Sequence, residues 1–256
     1  MDGAPAILLF AGLLIICTLL SFSLGRYPVP QKELLGILGS KFFGLFGGGA
    51  GNFWTEQMEV AVWNVRLPRV MLSVLVGACL SAAGAAYQGV FQNPMASPDI
   101  LGASAGAGFG ASLAIFLDFG HVYITLAAFV MSLVTVTLVF QISIYVKGGK
   151  VLGLVLAGIM ISSLFNAGTS FLKLVADPNN KLPQITYWLM GSLAGAKWSE
   201  IQFVIFPMLI GLIPLLMLRW RLNVITMGDE EARAMGVDAG KIRLAVIVAA
   251  TLVTAA

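Results

Sequence analysis

Two arginines three residues apart, in Arg66-Leu67-Pro68-Arg69, offer paired guanidinium forks of the kind that grip carboxylates on a partner. The same spacing suits two cations snorkelling at the aqueous mouth of a membrane helix, and spacing alone leaves both readings open. A second stretch, Gln88-Gly89-Val90-Phe91-Gln92-Asn93-Pro94-Met95-Ala96-Ser97-Pro98-Asp99, carries no Lys or Arg. Pro94 and Pro98 lack a backbone donor and bias the residue before each out of the helical region, so the chain must reverse here rigidly. A third, Gly228, Asp229, Glu230, Glu231, Ala232, Arg233, Ala234, Met235, Gly236, reads as a short polar helix. Acidic residues fill its first turn, Arg233 follows Asp229 by four, and Gly236 stands at the C-terminal cap. Its acidic start argues for docking into a soluble partner over an anionic lipid surface.

None of these stretches supplies covalent chemistry. The single histidine, His121, falls in a short turn beside Asp118, and no Cys, His or acidic cluster has metal-ligand spacing, so no catalytic residue, metal ligand or cofactor is assigned. No midpoint of an apolar run carries Asp, Glu, Lys or Arg, which removes the usual machinery of ion-coupled transport. A nucleotide loop is missing as well: Gly148-Gly149-Lys150-Val151 lacks the first glycine and the hydroxyl residue. If such a protein moves cargo uphill, a partner supplies the energy.

The elements that hold these stretches must live in lipid. Of 256 residues 59% are hydrophobic and 11% charged, against about 45–50% and about 25% in soluble domains. A net charge of +3 without a basic run gives no footprint for nucleic acid, and the only cysteines, Cys17 and Cys79, lie in apolar runs. Membrane lipid is the expected solvent. Runs of the length needed to cross a core about 30 Å thick predict spans at 5–24, 70–91, 100–117, 122–146, 151–176 and 201–218. A seventh begins at Leu244 and reaches only Ala256, so it is read as a span cut from a longer chain. Small residues one turn apart (Gly77, Ser81, Ala85; Gly102, Gly106, Gly110; Gly158, Ser162) predict close helix packing. The long 25–69 segment is expected to hold a helix-like stretch to Phe43 and a glycine run before Arg66 leads into the second span. Residues around Tyr187, Trp188 and Trp198 are expected at the headgroup level. With the N-terminus inside, seven Lys and Arg lie on each side and Lys173 near the outer end of its span, so the positive-inside rule gives a tie.

Taken in order, Arg66-Leu67-Pro68-Arg69, Gln92-Asn93-Pro94-Met95-Ala96 with Pro98, the Trp188 to Trp198 segment with Gly191-Ser192, and Gly228 through Gly236-Val237 resemble the FecCD, or vitamin B12-type, permeases of ABC importers for iron–siderophore complexes, haem and cobalamin. The resemblance implies an all-α polytopic membrane protein, a type II permease bundle with about seven of ten expected transmembrane helices present. Residues 1–256 would form one partial transmembrane permease domain of the bacterial inner membrane, its N-terminus cytoplasmic.

The resemblance further implies a homodimer or paired permease, two ATP-binding subunits that hydrolyse ATP in its stead, an extracytoplasmic substrate-binding protein and a metal-chelate cargo, with a ferric siderophore as the first expectation. Arg66 and Arg69 would dock the binding protein. Asn93 and Met95 would form a cytoplasmic gate, joined by the link at Gly148 and Gly149, and residues 228–236 would couple to the ATPase. The fifth span would line the path at the dimer interface, while Gln141 and Asn166 would bond between helices. An ion-coupled carrier, a membrane scaffold or a membrane-embedded enzyme are the other classes. The scaffold leaves the charge-free reversal and the capped polar helix unexplained, and the enzyme lacks paired carboxylates, a metal cluster or an activated nucleophile.

Overall fold

The structure is a computed structural model, and it describes residues 3–25, 27–44, 54–146 and 150–255. Among them every regular element is a helix, as a chain with no water to satisfy its backbone requires. In order they are α1 (Gly3–Ser23), α2 (Gln31–Gly44), α3 (Glu56–Val60), a π-helical turn (Ala61–Arg66), α4 (Leu67–Phe91), α5 (Ala103–Phe116), α6 (His121–Tyr145), α7 (Lys150–Val175), α8 (Lys181–Met190), α9 (Trp198–Ile225), α10 (Asp229–Ala234) and α11 (Ala239–Ala255). The glycine run at 47–51 and the Gly148-Gly149 link lie outside the described residues.

Five helices among these are long and apolar enough to cross a membrane: Ala4–Ser23, Glu56–Phe91, His121–Ser143, Val151–Val175 and Trp198–Ile225. Of the other two expected spans, 100–117 is shorter than hydropathy suggested, while the run expected from Leu244 belongs to a helix that begins earlier, at Ala239. Helix α5 has 14 residues, about 21 Å at 1.5 Å per residue, because residues 97–102 form consecutive turns that end in Gly102 at φ +73°. Helix α11 has 17 residues. The second span is instead longer than expected, starting at Glu56, so Arg66 and Arg69 lie within a continuous helical stretch of 36 residues and not at its mouth. Its π-turn precedes Pro68, whose ring would clash with the carbonyl four residues back in a regular helix; the wider turn makes room, and Leu67 N–H bonds to Val62 O. Helix α8 also went unread, since Pro183 resembles a breaker yet sits in the first helical turn, where it is tolerated.

The chain divides into two compact units, residues 1–75 with 193–202, and residues 76–192 with 203–256. In the first, Phe22, Val29, Leu34, Ile37, Trp54, Val62 and Val70 form the core. In the second, α5 packs against α6, α7, α8 and α11. Its Gly106, Gly108, Gly110, Ala111, Ser112 and Ala114 are all buried. Lipid tails provide no hydrophobic drive between helices, so contact rests on close backbone approach. A Cβ at Gly106 would lie 2.8 Å from Met131 O, and one at Gly110 2.7 Å from Met131 Cβ. The stripe on α4 behaves differently: Gly77, Ser81 and Ala85 are exposed, and nothing lies within 4 Å of a Cβ at Gly77.

These two glycines make a paired test. Gly106→Ala presses a methyl onto a backbone carbonyl that cannot move and should destabilise the fold by about 1–3 kcal/mol, whereas Gly77→Ala should leave the melting temperature of the detergent-solubilised protein unchanged or raised. Equal melting of both variants would contradict the packing described.

Candidate functional site

Helix α10 and its flanks are built almost entirely from local hydrogen bonds. The turn after α9 is closed by Met227 N–H to Val224 O (3.2 Å) and Gly228 N–H to Ile225 O (3.2 Å), and Gly228 adopts φ +135° before α10 begins. At the other end Gly236 (φ +74°) donates to Arg233 O at 2.9 Å and Val237 to Ala232 O at 2.8 Å. This pair is the Schellman cap that the sequence anticipated at Gly236, with Ala232 and Val237 both buried as its apolar contact. Asp238 then caps α11, its Oδ1 accepting from Gly240 N–H (3.1 Å) and Lys241 N–H (3.2 Å). The Lys241 backbone bond, foremost, holds the Asp238 carboxyl below the usual carboxylate range against the opposing cost of desolvation, with the Lys241 side-chain bond and charge and the Gly240 bond adding to it. The cap is thus complete above the ordinary carboxylate pKa and lost only as pH falls through the lowered one.

The acidic first turn of α10 has a specific partner. Arg243, on the first turns of α11, grips Asp229 with both terminal nitrogens, at 2.6 Å to Oδ1 and 3.0 Å to Oδ2. Its side chain is only 12% exposed, which limits competition from water. This corrects the expected Asp229–Arg233 spacing: Arg233 is exposed, and the carboxylate pairs fourteen residues on, with a planar fork that α11 holds in place. Helix α10 is consequently capped, tethered and rigidly joined to α11 through four residues, while Glu230, Glu231 and Arg233 remain exposed.

The charge-free reversal is a chain of turns. Helix α4 ends in the same cap as α10, with Asn93 N–H to Gln88 O at 3.2 Å and Gln92 N–H to Gly89 O at 3.4 Å. Gln92 holds the left-handed position (φ +51°) that glycine usually takes, and its Nε2 donates to Ile225 O at 2.8 Å. Asn93 Oδ1 accepts from Met95 N–H at 2.9 Å, so the Asn93 side chain shapes the loop. Ala96 tucks inward, Pro98 rests on Gly84, and Asp99 Oδ1 accepts from Ser104 N–H at 3.2 Å. Met95, held at the apex, is 85% exposed.

Arg66 and Arg69 are separated by the helix that carries them. Arg66 is 8% exposed, and its guanidinium donates to Phe22 O and Tyr27 O. It thereby satisfies a carbonyl in the last turn of α1 and complements the negative end of that helix. Gly25 permits the approach: a Cβ there would come within 2.8 Å of Arg66 Nη2. Arg69 faces outward on the same stretch and donates to Ala194 O, close to where Trp198 Nε1 donates to Trp63 O at 3.1 Å. Among the described residues the two guanidiniums share no hydrogen-bond partner.

Three residues that organise these sites have partners that the sequence did not reveal. Gln92 and Arg243 matter through partners distant in sequence. Lys181 bonds Phe116 O (2.7 Å) and Asp118 Oδ2 (2.6 Å), tying the start of α8 to the C-terminus of α5. Gln141 and Asn166 are exposed on α6 and α7. Among the described residues no group of three or more His, Cys, Asp or Glu is placed to hold a metal ion.

The chain is similar to known proteins in sequence and fold. The model of the FecCD transport family matches residues 13–256. The molybdate import system permease protein MolB of Haemophilus influenzae is 36% identical over 96% of this chain and 71% of its own length. The cobalamin import system permease protein BtuC of Halobacterium salinarum is 36% identical over 78% of this chain, which spans 54% of that relative. The hemin transport system permease protein HmuU of Yersinia pestis is 34% identical over 86% of this chain and 68% of its own length. A solved structure described as an inward-facing conformation of a metal-chelate type ABC transporter superposes with a TM-score of 0.80 at 32% identity, covering 98% of this chain and 74% of that one. With a family match over nearly its whole length, five helices among the described residues long and apolar enough to cross a membrane, and the same fold in a solved neighbour, the chain is a multi-pass membrane protein belonging to the FecCD transport family.

Proposed function

We propose that this chain is the membrane-spanning permease subunit of an ATP-driven importer in the bacterial cell membrane, performing no covalent chemistry itself. The observation that carries the reading is α10: a six-residue polar helix, capped at its C-terminus and tethered through its first residue, in a chain that is 59% hydrophobic. A helix this short is not stable alone, and its exposed Glu230, Glu231 and Arg233 suit a complementary cleft on a soluble protein better than lipid. Residues 228–236 are the element on which an ATP-binding subunit docks, one for each of two paired permeases. Asn93 and Met95 close the cytoplasmic end of the path, and α7 lines it, turning exposed Leu156, Met160 and Leu164 outward from its own chain.

The binding protein meets Arg69, with Arg66 acting as the internal support of that surface. The cargo is a metal-bearing compound, since relatives are named for molybdate, cobalamin, hemin and Fe(3+)-citrate. Within that class a ferric siderophore is the first to test.

Reconstitution with the ATPase and binding protein in proteoliposomes is the direct test, and ATP-dependent uptake of a ferric siderophore is the expected result. Uptake of molybdate alone would keep the importer and reject the iron chelate, while uptake driven by an ion gradient without ATP would reject the importer. Ala232→Pro, which removes the N–H that bonds Gly228 O at 3.0 Å inside α10, should abolish uptake while leaving membrane insertion intact. Arg69→Glu should weaken binding-protein capture in a pull-down with little change in melting temperature. Arg66→Glu should instead lower the melting temperature, because it strands the carbonyl of buried Phe22 and places a carboxylate beside it, at about 3–5 kcal/mol.

A further inference from the structure

We infer that Gln92 is a positioning residue that couples α10 to the gate loop; the inference rests on the coupling and gating roles proposed above. Three helices among the described residues end in the same hydrogen-bonding pattern, a 6→1 bond beside a 5→2 bond with a left-handed residue at the position after the cap, α5 among them with Asp118 at φ +60°. In α10 that residue is Gly236 at φ +74°, and in α4 it is Gln92 at φ +51°. Glycine adopts this conformation freely, whereas a residue with a Cβ is strained there. Local structure therefore gives no reason for a glutamine at 92.

What the glutamine adds is its carboxamide. Nε2 donates to Ile225 O at 2.8 Å, across 133 residues of sequence. Ile225 is the last residue of α9, fully buried, and its carbonyl also accepts the Gly228 N–H that sets the start of α10. One carbonyl thus joins the first residue of the gate loop to the entrance of α10. One turn earlier the two helices are in tight register, since a Cβ at Gly89 would lie 3.1 Å from Leu222. From Gln92 the path continues to the loop apex in three residues, through the Asn93 carboxamide that fixes Met95 N–H. A displacement of α10 that carries the end of α9 with it pulls on Gln92 and so on Asn93 and Met95.

Gln92→Gly and Gln92→Glu separate this role from folding. Glycine removes the link while relieving the backbone, and glutamate keeps the shape but presents an oxygen where a donor is needed. With the assembled importer in proteoliposomes, both variants should hydrolyse ATP within about twofold of wild type yet move about tenfold less cargo per ATP, the scale set by losing one hydrogen bond, and Gln92→Gly should melt no lower than wild type. A wild-type uptake-to-ATP ratio in both variants would overturn the inference alone. Parallel loss of uptake and ATP hydrolysis, or early melting of Gln92→Gly, would overturn it too, by making Gln92 a structural residue only. Wild-type protein that shows no ATP-dependent uptake would overturn the proposed function itself, which the variants do not touch.

Discussion

Helix α5 can occupy its place only because its glycines put no side chain between it and its neighbours. At Gly106 and Gly110 the gap to α6 is too small for a methyl group, and Gly102 and Gly158 bring the chain near α7 to the same closeness. A bilayer offers no hydrophobic reward for bringing helices together, so this close approach must supply the cohesion. It also makes the second unit stiff, since backbones in contact have no side-chain slack to take up a shear. Motion is then left to the ends of helices and the turns between them, where the polar chemistry of the chain is found.

Those ends share one logic. Helix termini leave carbonyls without partners, and each important terminus here borrows a donor from elsewhere in its own unit: Arg66 for α1, Lys181 for α5, Gln92 for α9. The donors satisfy backbone groups that lipid cannot, and in doing so they wire the termini together. Arg243 adds the one bidentate ion pair among the described residues, fixing α10 to α11. A transporter that is driven from outside needs such a handle: a polar element stiffly attached to a span, so that a push on it moves the span and does not merely bend the handle.

The helical fold was legible wherever apolar length decided it. Spans 5–24, 122–146, 151–176 and 201–218 match helices within a few residues at most boundaries, α9 excepted, which runs on to Ile225. Reading failed where charge and proline sit inside helices. Glu56, Glu59, Arg66, Pro68 and Arg69 look like a loop, but a π-turn absorbs the proline and Arg66 finds carbonyls to satisfy, so α4 continues a helix begun at Glu56. Of the candidate site, the capped polar helix and the turn at Asn93 could be read because capping and turns are local. The partners of Asp229, Gln92 and Arg66 could not, because they are chosen by packing across 14 to 133 residues. Composition told where the polar groups are, and only the fold told which of them meet.

The central claim is that α10 and α11 move as a single rigid piece. Pulsed electron–electron resonance between spin labels at the exposed positions Glu230 and Val248 measures this directly in the assembled transporter. One narrow distance distribution, unchanged in mean and width with and without ATP, is the predicted result. A shift or broadening on ATP binding would show α10 hinging freely, and the account of how a push reaches the membrane would be wrong.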